Sequence, residues 1–532
     1  MRVLLKGGLM YDGSGADPKK ADILFEDDRI LKIEEGISPE GVDKVIDITG
    51  KSVAPGFIDG HSHNDWFAIR KDPVPYFDPF IKQGITTFIA GNCGISEIGY
   101  EKDCEYVDKM GGGLFFFGDS IGQYGHINDF MEAIDKNCPA NIAELVGHCS
   151  ARAAVAGGEN RKLTPEEEAK MLSILEDNLK NGAAGVSLGL MYEPGLYADK
   201  DELKKVADLC VKYDKPLTVH PRANSAVSMA YPELLGRSHI LRAVDELVEI
   251  SKGTNLKLQY SHAIFVGRKS LKDKPEFLSI MENLRKNGVR AQFDIYNELK
   301  GVSVITVILP TWYQGMSEEE RNKPLMKLKL RVLIKATSLL LGFGYNDIEV
   351  AYIGPGFEKY EGKTVHEIAK ENGKSDLDMY LQLCRESKFM GRVNMGPYTT
   401  EEIIHDFEKN ENCLYMTDAW VEDHGIQNPA IYDCFPKFLQ DSLKGLGDTL
   451  PKTINRMTGA TAERFMIKER GFLKPGYYAD ITVFDEEVLK NSPCDRTCSF
   501  GIDRVFINGL EVLTNGETHK ETLRHAGRAI RV

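Results

Sequence analysis

The 532-residue chain predicts an α/β fold: a TIM-like (β/α)8 barrel with a small β-sandwich domain formed by both termini. Three features of the sequence predict it. Both ends alternate short strand-like segments with turns. The middle alternates short apolar runs with longer amphipathic stretches, the pattern of βα units. Eight such runs occur there, the count of a barrel.

At the N-terminal end the strand-like segments are Arg2 to Leu5, Ala21 to Phe25, Arg29 to Ile33 and Val45 to Ile48, with turn signals such as Asp12-Gly13-Ser14-Gly15. The C-terminal end returns to this texture at Asp480 to Asp485 and at Arg504 to Gly509, where Asn508-Gly509 marks a hairpin turn. Residues 1–54 and 470–532 are therefore expected to form one small β-domain, and residues 55–469 the barrel. Barrel strands are expected at 53–58, 86–90, 142–146, 184–188, 217–219, 256–260, 291–295 and 413–416. Two helices between them are clear. The stretch Thr164 to Asn181 opens Thr-Pro-Glu-Glu-Glu and stops at Asn-Gly, and Asp201 to Tyr213 follows. The gap from 298 to 412 is far longer than an ordinary βα loop and is expected to be an inserted subdomain. Within it Arg331 to Leu341 is basic and amphipathic, expected as a lid helix with a solvated face.

Composition narrows the function. Hydrophobic residues make up 42% and charged residues 27%, as in an ordinary globular protein. No window approaches about 18 consecutive apolar residues, so no transmembrane helix and no membrane partner are expected. The start Met-Arg-Val-Leu-Leu-Lys-Gly-Gly is too short an apolar run for a signal peptide, which makes a cytoplasmic location the default expectation. A net charge of −14 argues against nucleic acid as a partner. The ten cysteines lack regular spacing and are expected to be thiols rather than a disulfide framework. Oligomerisation stays open.

The polar residues that end the apolar runs carry the chemistry. His61 and His63 follow the first expected strand, Cys93 the second, His148 the third, Tyr192 the fourth, His220 the fifth, His262 the sixth and Asp418 the eighth. All should meet at the C-terminal rim, where barrel enzymes place their sites. Five of the 12 histidines fall at these strand ends. Imidazole, thiolate and carboxylate together suit zinc, which lowers the pKa of water and polarises a carbonyl. A carboxylate beside that water can accept its proton and pass it to a leaving nitrogen, a role for Asp418. His148, in Val146-Gly147-His148, fits either support of the metal ligands or a structural hydrogen bond.

The run Val53-Ala54-Pro55-Gly56-Phe57-Ile58-Asp59-Gly60-His61-Ser62-His63-Asn64-Asp65 resembles the entry motif of the amidohydrolase superfamily. Further matches are similar to its D-aminoacylase (N-acyl-D-amino-acid deacylase) branch. They are Gln83 to Thr87 leading to Gly91-Asn92-Cys93-Gly94, Leu145 to His148, Ser187 to Gly195, Tyr260-Ser261-His262 and Phe293-Asp294-Ile295-Tyr296, while Gly471 to Asp480 resembles the superfamily's return to its small β-domain. The resemblance implies one or two zinc ions. Cys93, His220 and His262 would hold the tighter one, and His61, His63 and Asp418 a second, looser position. It further implies Asp418 as general base and then acid, Arg222 as a contact to a substrate carboxylate, and Tyr192 lining the pocket.

The chain departs from that branch where substrate is recognised. His-x-Arg-Asn-Glu becomes His220-Pro221-Arg222-Ala223-Asn224, the lysine two positions after the sixth-strand histidine becomes Ile264, and Ser-Asp-Gly becomes Thr417-Asp418-Ala419, followed by Trp420. The expectation is therefore zinc-dependent hydrolysis of an amide C–N bond in an N-acyl-D-amino acid or a related small N-acyl compound. One alternative is a cyclic-amide hydrolase of the hydantoinase or dihydroorotase kind. Those bridge two metals with a carboxylated lysine at the end of strand four, and no lysine lies between Lys180 and Lys200. The other alternative is a non-catalytic metal-binding scaffold, which should have lost ligands that this chain keeps.

Overall fold

The computed structural model describes residues 1–106, 124–228, 230–231, 236–310, 313, 316–494 and 497–532. Two parallel sheets form the centre. One holds Phe57–Asp59, Ile85–Ala90 and Asn141–Glu144, with the late strand Ala529–Ile530 added beside Asn141–Glu144. The other runs in the order Cys413–Tyr415, Gln292–Ile295, Lys257–Tyr260, Pro216–His220, Val186–Gly189, Val146–Gly147. These strands are covered on both faces, as the wholly buried Ile85–Ala90 shows.

The two sheets adjoin on both sides. At Leu145 the chain passes from one to the other; the Leu145 N–H donates to the Ala90 carbonyl at 2.9 Å, and the Val146 N–H to that of Gly185 at 3.0 Å. Opposite, the Gly60 N–H donates to Tyr415 O at 3.3 Å, and the Asp418 N–H to His61 O at 3.2 Å. Those last two bonds bring the segment after the first strand against the segment after the last.

The helices follow their sequence signals. Pro165–Lys180 starts with a full capping box between Thr164 and Glu167. Lys200–Lys212 begins one residue before the expected Asp201, because Asp199 is the cap that accepts from the Glu202 N–H.

The first expected strand is in fact two. Ser52–Pro55 pairs with Ile481–Phe484, while Phe57–Asp59 pairs with Ile85–Ala90. The break falls at Gly56, where a side chain would collide with Thr86. Ser52–Pro55 thus joins a nine-stranded sheet that draws Arg2–Met10, Lys19–Glu26, Arg29–Glu34 and Lys44–Asp47 from one end of the chain. Ile481–Phe484, Ile502–Ile507, Leu510–Thr514 and Glu517–Thr518 come from the other. Strand Arg2–Met10 is its fork: residues 3–6 pair with Lys44–Asp47 and residues 9–10 with Ser52–Pro55, the register shifting between Leu5 and Gly8. Asn508 and Gly509 both have positive φ, as a tight hairpin turn requires.

Residues 298–412 carry their own antiparallel sheet, ordered Gly301–Val304, Arg392–Met395, Ile348–Tyr352. The basic segment expected from Arg331 to Leu341 is a longer helix, Pro324–Leu341. Its outer face is not the solvated polar face expected. Leu330 and Ile334 are buried on one side, while Leu325, at 77% exposure, Leu328, Val332 and Leu339 face outward. The helix is apolar on two sides, and the described residues cover only one. Among the described residues no helix is long and apolar enough to cross a membrane.

Candidate metal centre

Six side chains from five strand ends converge. Cys93 Sγ lies 3.4 Å from His61 Nε2, 3.5 Å from His220 Nδ1 and 3.8 Å from His262 Nε2. Asp418 Oδ1 lies 3.5 Å from Nε2 of both His61 and His63. Three overlapping triads bring ligand atoms within 4.8 Å of one another: His61, His63 and Cys93; Cys93, His220 and His262; and His61, His262 and Asp418. Cys93 belongs to two of them, which places its sulfur between the two halves of the cluster. All six are buried except Asp418, whose side chain is 23% exposed and opens the cluster outward.

The backbone is bent to present these groups. Cys93, His262 and Asp418 have φ of 55°, 37° and 47°, a region that side-chain-bearing residues rarely enter. Each such residue costs about 1–3 kcal/mol, and three at one site mark where strain is held. The Cys93 turn needs its neighbour glycine as well. Gly94 has φ of 79° and lies so close to Gly189 that a Cβ would strike its backbone.

Buried carboxylates that the sequence reading left without a role hold the bends. Asp59 accepts from the N–H groups of His61 and Thr417 at 3.2 and 3.0 Å and from the Thr417 hydroxyl at 2.5 Å. It ties the His61 and Asp418 segments together. Asp294 accepts from the His262 N–H at 2.6 Å and from the Gln259 amide at 2.8 Å. Burial lifts both carboxyls to about 7. Asp294 could have been found from sequence, since it sits at the end of the one strand to which no polar residue had been given.

Burial pushes the imidazoles of His61, His220 and His262 below their ordinary value, so they stand neutral with lone pairs available. The same burial holds the Cys93 thiol well above its ordinary value. Only a cation in contact would draw the proton off, so metal binding here releases one. The donor set fits zinc: one sulfur, neutral imidazole nitrogens and a carboxylate, converging with little else to bind. The ring nitrogens His61 Nδ1 and His262 Nδ1 are buried with no hydrogen-bond partner.

Tyr192 stands on the rim, its hydroxyl 3.3 Å from His220 Nδ1 and its ring 4.6 Å from that imidazole. Two other residues lie apart from the cluster. His148 opens the helix His148–Ala156 and is 2.8 Å from Glu202 Oε1, the oxygen that Arg152 also contacts at 3.0 Å. Arg222 differs from its expected role. Its guanidinium makes two bonds to Glu246, both at 3.0 Å, and donates to the carbonyls of Leu196 at 2.6 Å and Ala198 at 3.0 Å. Four of the five donors of that fork are thereby spent inside the protein, and it braces the 196–198 turn instead of facing a ligand.

Comparison with known proteins places the chain. The amidohydrolase family model matches residues 44–295. D-aminoacylase of Alcaligenes xylosoxydans xylosoxydans is 26% identical over 99% of this chain and 97% of its own length. N-acyl-D-glutamate deacylase of the same organism is 26% identical over 96% and 93%. A solved D-aminoacylase structure, described by its binuclear metal centre with one-metal activation and second-metal attenuation, superposes with a TM-score of 0.79. It is 25% identical and covers 100% of this chain and 99% of its own. In its entry motif, its cluster and these likenesses, the chain resembles the amidohydrolases, and their D-aminoacylase branch over nearly its whole length.

Proposed function

We propose that this protein is a zinc-dependent hydrolase that cleaves the amide C–N bond of small N-acyl compounds, the class to which N-acyl-D-amino acids belong. The observation that carries the proposal is one buried sulfur within 3.4–3.8 Å of three imidazole nitrogens, with a partly open carboxylate 3.5 Å from one of these, His61 Nε2, and from His63 Nε2. The likeness to D-aminoacylase and N-acyl-D-glutamate deacylase supports it. We read the two parallel sheets as one eight-stranded barrel with the cluster at its C-terminal mouth. Residues 1–54 and 470–532 then form the small β-domain, and residues 298–412 the insertion.

In this reading Cys93, His220 and His262 would hold the tighter ion, and His61, His63 and Asp418 would hold a second, looser one. Zinc supplies a Lewis acid that makes water nucleophilic at neutral pH and polarises the amide carbonyl. Asp418 takes the proton from the attacking water and delivers it to the departing nitrogen, so water adds across the C–N bond to give an acid and an amine. Asp59 and Asp294 fix the segments that carry His61, His262 and Asp418. His148, bound to Glu202, supports the neighbouring strand end.

The cyclic-amide alternative loses its bridging lysine on geometry as well. At the end of Val186–Gly189, a Cβ on Gly189 would run into the Cys93 carbonyl, leaving no path for a lysine side chain from that position. A hydrolysis screen with zinc supplied tests the proposal across N-acyl-D-amino acids, their L-isomers, cyclic ureides and neutral amides. Turnover of open-chain N-acyl compounds is expected. Inactivity toward every amide with zinc bound would refute it.

A further inference from the structure

We propose that the helix Pro324–Leu341 seats this protein on an anionic lipid surface, lying flat with its outward apolar stripe in the headgroup layer.

The stripe is regular. Leu325, Leu328, Val332, Ala336 and Leu339 follow one another at intervals of three and four residues, which is one face of a helix with about 3.6 residues per turn. Leu325 is 77% exposed, Val332 and Leu339 63% each, and Leu328 56%. Side chains so far out stand as a ridge and do not line a groove. The 18 residues of the helix make that ridge about 27 Å long. Its opposite side is anchored, since Leu330 and Ile334 are buried. Its C-terminal end is held by the loop that follows His262. There the Lys269 N–H donates to the Leu341 carbonyl at 3.0 Å, and the Lys269 ammonium to the Leu339 carbonyl at 2.6 Å.

Charge indicates what covers the ridge. From Arg321 to Asn346 there are six cations and no acid, in a chain whose net charge is −14. The acids that bound this stretch are engaged: Glu320 caps Ser317, and Asp347 takes the fork of Arg268 at 2.7 and 2.9 Å. Arg331 and Lys335 flank the stripe on one side and Lys329 on the other, all three exposed. Charge is felt over about 8 Å at physiological ionic strength, so the sign of this helix, not of the whole protein, decides what approaches it. A second copy seated face to face would set lysines and arginines against one another with no acid between them. A rigid acidic protein would have to offer a groove that fits the ridge. A fluid anionic surface closes round it. The leucines and Val332 enter the boundary of the acyl chains, while the lysine and arginine stems carry their charges to the phosphates. The expectation of no membrane partner came from the lack of a spanning segment, and it does not reach a helix that lies flat on a surface.

The test pellets the full-length protein with phosphatidylcholine vesicles containing phosphatidylglycerol, and with vesicles of phosphatidylcholine alone. Binding to the mixed vesicles is expected to be about 100-fold tighter, as three cations near the surface imply. It should weaken as salt is raised from about 0.1 M to about 1 M, where screening contracts to about 3 Å. Two double variants divide the face. Leu328→Gln with Val332→Gln removes apolar area, and Arg331→Gln with Lys335→Gln removes charge. Both alter exposed positions and keep good helix formers there, so the melting temperature should stay put. Each should lower binding to the mixed vesicles about tenfold. No pelleting with the mixed vesicles, or binding that either double variant keeps in full, would overturn the proposal. So would a dimer seen in sedimentation that Leu328→Gln with Val332→Gln dissolves, since a second copy would then be the occupant.

Discussion

The floor and the walls of the cleft were built under different rules. The floor is polar, strained and crowded: six potential ligands, three left-handed backbones, and buried carboxylates holding the bends. The walls carry Tyr192 against His220 and Trp420 edge-on to His63, and the arginine expected to face the substrate is turned into the protein. The floor follows the pattern of the D-aminoacylase branch; the walls depart from it. The contrast teaches that the reaction and the choice of substrate are held by separate residues here, so variants should separate them too.

The largest effect is expected on the floor. Asp418→Asn should lower kcat about 10³-fold with zinc content unchanged, since it removes the proton carrier and keeps an oxygen in place. Near-normal kcat in that variant would take Asp418 out of its role. Cys93→Ala should sharply lower bound zinc, read by metal analysis after dialysis. Unchanged stoichiometry would make the sulfur a packed group and nothing more.

Arg222 sharpens the boundary between floor and wall. Arg222→Ala leaves Glu246 buried without its partner and should cost about 3–5 kcal/mol of stability, seen in chemical denaturation. The ratio of activity on acidic and neutral amides should not move. A change in that ratio with stability intact would restore Arg222 to the substrate. The smallest effect is expected at Tyr192→Phe, which removes only a hydroxyl 3.3 Å from His220. A change of about 2–10-fold, mainly in KM, corresponds to one hydrogen bond.

Sequence made the floor legible because each of its residues ends an apolar run. His61, His63, Cys93, His220, His262 and Asp418 could be placed on one rim by counting strands alone. It could not show that Arg222 is spent, because its partners are Glu246 in a later helix and two backbone carbonyls. Nor could it show that the run through Val53 to Ile58 divides at Gly56 between two sheets, since both halves are buried and apolar. The outward leucines of Pro324–Leu341 were hidden in the same way, because a helix apolar on two sides has no single periodic stripe to read. Asp59 reads as an ordinary strand-end acid until its bonds to His61 and Thr417 are seen.

The most direct test of the central claim is a zinc titration of the metal-stripped enzyme, following amide hydrolysis and bound metal together. Activity should be absent without metal and return as the first equivalent of zinc is taken up, with Cys93→Ala failing to recover it at the same zinc concentration. Full hydrolysis by the stripped enzyme, or equal recovery in Cys93→Ala, would contradict a zinc centre built around that sulfur.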